Sequence, residues 1–156
     1  MIGAILATDM ALHFAKIGVL KSKLQSEDAD LKNEEDKKFI CEQFFHLCDI
    51  SNATKPFDLC EKWTLLLFEE FYHQGDQEKI MGVTVSQFMD RCTTNIAKSQ
   101  IGFISFIIKP SFEIMSNFLP NVTEMLDGCL ENSDIWSSKV DLYQEKMEKE
   151  AESYNN

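Results

Sequence analysis

Only six glycines and three prolines punctuate 156 residues, so this chain has little to break a helix and few of the turn residues a β-sandwich needs. The apolar pattern agrees. Ile2, Ile5, Leu6, Met10, Phe14 and Ile17 recur at helical steps, so a helix is expected to be running at the first residues. No Ser, Thr, Asp or Asn precedes it as a cap, which suggests a chain that begins in the middle of an element. An acidic polar connection over 26–36 leads to a second helix over about 36–51. Residues 52–55 make a turn, and Pro56 suits the first turn of a third helix. That helix carries Trp63 (taken as core), Leu66, Leu67, Glu70 and Phe71, and should stop at Gln74-Gly75-Asp76 with Gly75 as its C-cap. A short helix over 77–81 and a loop over 82–86 come next. Ser86 is then expected to cap a long helix reaching Lys109, with Pro110 kinking or ending it. A further helix to about Phe118, two segments flanking Asn132-Ser133 and a charged tail fraying from Gln144 complete an all-α, multi-helix bundle.

Charge and cysteine usage exclude several classes of function. A net charge of −11 repels nucleic acid and anionic membranes at long range. Arg91 is the only arginine, so the chain has no bidentate phosphate clamp of the usual kind. The five cysteines (Cys41, Cys48, Cys60, Cys92 and Cys129) are odd in number and form no CxxC pair, which favours a reducing, cytoplasmic setting. The first twenty residues are apolar but lack a basic leader and carry Asp9, His13 and Lys16, so a signal peptide is not expected. The apolar stretch over 101–119 is broken by Lys109, Pro110 and Glu113, so a membrane span is not expected either.

Asp49 closes a mostly apolar run over 39–50, and Cys41, Phe45, Asp49 and Asn52 share one helical face. A carboxylate buried on such a face needs a metal, a cation or a set of donors. Helix capping or pairing with Lys55 would be the structural alternative. His46 lies one turn before Asp49 and reads as a supporting or core histidine rather than a ligand. His13 and Asp9, four residues apart, are expected to hydrogen-bond locally. Glu69 and Glu70 point about 100° apart on a helix and do not form a carboxylate pair. His13, His46, His73 and Asp49 lie on separate helices apart from the His46–Asp49 pair, so they are not expected to hold a metal by themselves.

Four stretches carry a family resemblance. Ile5-Leu6-Ala7-Thr8-Asp9-Met10-Ala11-Leu12-His13, the Asp49 segment, the block from Trp63 to Asp76 and Lys98-Ser99-Gln100-Ile101-Gly102-Phe103-Ile104 resemble, in order and at compatible spacing, the class I 3′,5′-cyclic-nucleotide phosphodiesterases. The resemblance implies the C-terminal half of that family's helical, HD-superfamily-like catalytic fold. Residues 1–120 would be the partial catalytic domain and 121–156 its C-terminal helices. It also implies hydrolysis of cyclic AMP or cyclic GMP to the 5′-monophosphate in signal transduction, at a zinc and magnesium pair. By resemblance, Asp49 ligates both metals and Thr8 sits behind the magnesium waters with Asp9 nearby. Gln100 hydrogen-bonds the purine edge, Phe103 and Leu67 sandwich the ring, Asn52 and Met10 line the pocket, and Phe88 lies in the loop that covers it.

The departures weigh as much as the matches. The family's HNxxH and HDxxHxxxN motifs lie upstream of the Ala7-Thr8-Asp9-Met10 stretch and are absent here, so the general-acid histidine, two zinc-ligand histidines and the second metal aspartate are missing. Gln87 stands where a proline is common, and Cys60 where a larger residue is usual. The expectation is therefore a truncated chain that is inactive alone and associates through exposed apolar surface. The alternative is a non-catalytic helical interaction module derived from a phosphodiesterase.

Overall fold

The computed structural model describes residues 1–25 and 33–154. α1 (Ile2–Ala7) gives way to a 3₁₀ turn (Met10–Leu12) and α2 (His13–Gln25). The single helix expected here is interrupted because Asp9 takes extended backbone and its carboxylate accepts the Ala11 N–H at 2.9 Å. Of the apolar residues that marked that helix only Ile17 is buried; Ile2, Ile5, Leu6, Met10 and Phe14 face outward. Most of the expected acidic connection, residues 26–32, lies outside the described residues. α3 (Glu34–Asp49) starts slightly earlier than expected because the Asn33 side chain caps Glu35.

A 3₁₀ turn (Ser51–Thr54) then reverses the chain into α4 (Phe57–Ile80). α4 runs straight through Gly75, where a C-cap was expected, and absorbs the short helix expected over 77–81. Gly75 has another purpose. A Cβ on it would lie 1.9 Å from the Met89 carbonyl oxygen, so its bare backbone lets the adjoining loop lie against the helix.

That loop, residues 81–95, takes the place of residues 86–95 of the long helix expected from Ser86. Ser86 does not cap a helix. Its N–H and hydroxyl donate to the two Glu78 carboxylate oxygens at 2.6 and 2.8 Å. Lys79 pairs with Asp90 at 2.8 Å and Arg91 with Asp76 at 2.7 Å, which staples the loop onto the end of α4. Asn95 is the true N-cap, accepting from the Lys98 N–H at 3.0 Å, and α5 (Ile96–Phe103) starts there.

Pro110 neither ends nor sharply breaks the helical path. The turns ahead of it widen into a π-helical stretch (Ile104–Ile108), closed by the Lys109 N–H on the Ile104 carbonyl, and α6 (Lys109–Phe118) continues from it. The wider turn accommodates a residue with no N–H to give.

After a 3₁₀ turn (Pro120–Val122), α7 (Thr123–Ser138) is continuous through Asn132-Ser133, and the break comes at Lys139. α8 (Val140–Tyr154) stays helical well into the tail expected to fray, helped by the Gln144–Glu148 hydrogen bond and the Arg91–Glu150 ion pair. Among the described residues there is no strand, so the bundle is all-α.

The α5–π–α6 rod sits at the centre, with α7 along it, α8 against α5 and α2 against α6. Ile104, Ile108, Phe112 and Met115 from the rod meet Leu20, Phe68 and Trp136 in one core. Each such buried side chain contributes roughly 1.5–3 kcal/mol. Trp136 is the core tryptophan, packed edge-on against Phe57 at 5.1 Å. Trp63, expected in the core, is 62% exposed, because its neighbour Thr64 takes the inward position.

Candidate functional site

The turn after α3 aims the candidate site. The Ser51 hydroxyl donates to the Cys48 carbonyl and the Thr54 hydroxyl to the Ser51 carbonyl, at 2.7 and 2.8 Å, which tightens the reversal from within. Asn132 of α7, 3% exposed, donates to the carbonyls of Ala53 and Lys55, both at 2.8 Å. Loss of such a buried amide costs roughly 1–3 kcal/mol. The turn is thereby bolted to the core, and Asn52 is presented to α4.

A line of hydrogen bonds runs from there. The Asn52 amide donates to the Cys60 carbonyl and to the Thr64 hydroxyl, each at 3.3 Å, and the Thr64 hydroxyl donates to Gln100 Oε1 at a long 3.5 Å. Thr64 has one proton, so accepting from Asn52 and donating to Gln100 uses its capacity in the only consistent sense. Gln100 is largely buried, and its Nε2 is left with hydrogens to offer a ligand. Asn52 Oδ1 is buried and has no partner.

The structure thus joins Asn52 and Gln100, two residues singled out from sequence, through a third that was not. Thr64 had a signal: it is the one polar residue in the buried α4 stripe Cys60, Thr64, Phe68. Phe103, one turn beyond Gln100, is half-buried against the core, and Leu67, one turn beyond Thr64, is exposed. Met10 is exposed on its own 3₁₀ turn. Phe88 is exposed in the 81–95 loop at φ +70°, a left-handed backbone that a bulky residue rarely adopts. It borders a groove of about 580 Å³ between this loop, the start of α5 and α8, floored by Thr94 and Asn95. Gln100 and Asp49 do not line that groove.

Asp49 is the last residue of α3 and is exposed, which overturns the expectation of a buried carboxylate. The burial belongs to its neighbours. His46, one turn earlier, is fully buried, and its Nε2 lies 2.9 Å from Nδ1 of His13, also buried. His13 therefore bonds His46 rather than Asp9, the partner expected from spacing. Ser111 fixes the tautomers. Its hydroxyl proton goes to the Ile107 carbonyl at 2.6 Å, so at 3.3 Å it must accept from His13 Nε2–H. His13 Nδ1 is then an acceptor, and His46 Nε2–H donates to it. His46 Nδ1 is left as a buried acceptor without a partner, beside the equally unpartnered amide of Gln43. Burial lowers both imidazole pKa values. The neighbouring His46 depresses His13 further; for His46, Asp49 opposes the shift and Lys16 adds to it.

Thr8 and Asp9 are engaged locally, the Thr8 hydroxyl on the Ile5 carbonyl at 2.7 Å and the Asp9 carboxylate on Ala11. Among the described residues no group of three or more His, Cys, Asp or Glu side chains converges as a metal cluster. Asp49 alone does not fit a two-metal centre.

Comparison with known proteins places this geometry among relatives. Residues 1–129 match the family model described as 3′5′-cyclic nucleotide phosphodiesterase. The chain is 35% identical over 147 residues to a Drosophila melanogaster 3′,5′-cyclic-AMP phosphodiesterase, isoform F, covering 90% of this chain and 22% of that protein. It is 37% identical over 156 residues to the Homo sapiens high affinity cGMP-specific 3′,5′-cyclic phosphodiesterase 9A, covering 98% of this chain and 26% of that one. A solved structure of LmjPDEB1 in complex with IBMX superposes with a TM-score of 0.80 at 32% identity, over 90% of this chain and 42% of the other. The chain thus spans about a quarter or less of the length of these curated relatives.

Proposed function

This chain belongs to the 3′,5′-cyclic nucleotide phosphodiesterase family, and from that premise we propose that its residues form the purine-holding side of a cyclic-nucleotide hydrolysis site. The observation that carries this is the Asn52–Thr64–Gln100 line, which delivers a buried amide with free N–H donors. Gln100 bonds the purine edge, and Phe103 and Leu67 close on the two faces of the ring, where a flat aromatic is held at low entropic cost. Met10 and Asn52 line the pocket, and Phe88 belongs to its covering loop. The relatives' names include both cyclic AMP and cyclic GMP, and a glutamine amide can serve either base.

The reaction adds water to phosphorus, breaks the bond to the 3′ oxygen and gives that oxygen a proton, leaving a 5′-monophosphate. Asp49 is proposed as a ligand shared by a zinc and a magnesium ion, with Thr8, Asp9 and His46 around it. The donor set of this chain does not fit that pair, so no catalytic step is assigned to it. We further propose that the 156 residues by themselves hydrolyse no cyclic nucleotide at a useful rate, and that the protein works in the cytoplasm in cyclic-nucleotide signalling. The five free cysteines suit a reducing setting. Among the described residues no helix is long and apolar enough to cross a membrane.

The test is a titration of the purified chain with cyclic AMP and cyclic GMP, followed through the side-chain amide resonances of its glutamines. The Gln100 signal should move on saturation with either nucleotide, and Gln100→Ala should abolish binding. Binding that is unchanged in Gln100→Ala contradicts the assignment.

A further inference from the structure

Thr64 and Gln100 meet across two helices, α4 and α5, at a long 3.5 Å. A hydrogen bond already at that limit fails if either helix slides by a fraction of an ångström. The inner face of α5 carries Ile96 and Ala97, both buried in the core. Apolar packing is non-directional, so it keeps α5 in the bundle without fixing its slide along its axis or its rotation about it. Directional contacts can fix both, and α8 supplies them.

Asn95 is the tie to α5. It is buried, and its side chain uses both ends. The Oδ1 accepts the Lys98 N–H at 3.0 Å and caps the helix. The Nδ2 donates to the Val140 carbonyl at 3.1 Å and to Gln144 Oε1 at 3.2 Å, both in the first two turns of α8. The same stretch of chain is fastened to α4. Glu61 accepts from the Lys139 ammonium, just ahead of α8, at 2.7 Å and from the buried Tyr143 hydroxyl at 2.9 Å. Glu61 lies three residues before Thr64, and Asn95 five before Gln100. α8 thus joins α4 to α5 within about one and a half turns of the two side chains that must meet. It lies beyond residues 1–129, the stretch that matches the family model.

We infer that the first two turns of α8 are a brace that registers Gln100 against Thr64, with Asn95 as the positioning residue through which the brace acts on the base site. This rests on the proposed role of Gln100 in holding the purine. Asn95 acts at a distance from the base, by setting where the Gln100 amide stands and where its free Nε2 hydrogens point.

Asn95→Asp separates the two duties of this side chain, because a carboxylate still caps α5 but cannot donate to α8. In the purified chain this variant should keep its helical circular dichroism. It should shift the Gln100 side-chain amide resonance before any nucleotide is added, and raise Kd for cyclic AMP and cyclic GMP roughly three- to tenfold. Gln144→Met removes one acceptor on the α8 side without touching α5. It should move the same resonance and Kd in the same direction by less, and it carries the test if Asn95→Asp does not fold. A lowered Tm with Kd and the Gln100 resonance unchanged overturns the inference. A Kd that rises while the Gln100 resonance stays in place shows Asn95 acting on the nucleotide directly, and overturns it too. An unaltered chain that binds no nucleotide, or binds as well after Gln100→Ala, removes the purine-holding reading and the inference with it. A chain that binds, needs Gln100 and is indifferent to both Asn95→Asp and Gln144→Met removes the inference alone.

Discussion

Thr64 has one hydroxyl proton, and the groups around it leave a single place for that proton to go. Asn52 donates to the oxygen and Gln100 accepts from it, so Thr64 sets which end of the Gln100 amide is free. Thr64→Val keeps the shape and removes both bonds. It should weaken nucleotide binding by roughly 1–2 kcal/mol, about five- to thirtyfold in Kd, with helical content unchanged in circular dichroism. Equal affinity would mean that Gln100 needs no such support. The buried His13–His46 pair gives a second consequence at this scale. Both imidazoles titrate below the ordinary value of 6.5 in the folded chain. As pH falls through 6.5 the unfolded chain takes up protons that the folded chain refuses, so stability falls with pH from there downward. Thermal melts between pH 7.5 and 5 should show Tm dropping, and His13→Gln should flatten the slope. An unchanged slope would place the acid sensitivity elsewhere. Neither set of partners was legible in the sequence. Thr64 shows as a polar residue in an apolar α4 stripe, but its partner Gln100 lies 36 residues away, and spacing pairs His13 with a neighbour in sequence because its true partner lies 33 residues away.

At the scale of elements, the helices themselves were legible because helical periodicity is a local property, while their ends were set by contacts that periodicity does not report. Gly75 looks like a stop because glycine often ends helices; its actual reason, the Met89 carbonyl, comes from a loop that periodicity assigns to a helix. Ser86 looks like a cap for the same kind of reason, and loses to Asn95 because Glu78 holds it. Gly75→Ala should therefore be far worse than a helix-propensity gain suggests. The added carbon meets backbone, so a loss of roughly 2–3 kcal/mol is expected, with α4 intact and the 81–95 loop more open to amide exchange. A higher Tm in this variant would show that the loop does not lie against α4. Pro110 illustrates the opposite case: the sequence announces an irregularity, and its form, a π-helical turn ahead of the proline, comes from the missing N–H.

Across the whole molecule, the all-α bundle and the family were both readable from sequence, and the distribution of the site was not. The residues proposed to face the base rest on a rod and turn bolted into the core, so they are held in place by this chain alone. Asp49 and the apolar residues near it lie at the opposite extreme, exposed and short of partners. Apolar periodicity in the first seventeen residues reads as core, yet most of it faces away from this chain's own interior. Periodicity announces that a face will be buried and is silent on what buries it. The central claim is that recognition of the base resides here and the chemistry at phosphorus does not. Its most direct test is turnover of cyclic AMP and cyclic GMP by the purified 156-residue chain, supplied with zinc and magnesium. The expected result is no 5′-monophosphate above background; robust turnover that Asp49→Ala abolishes would contradict the claim.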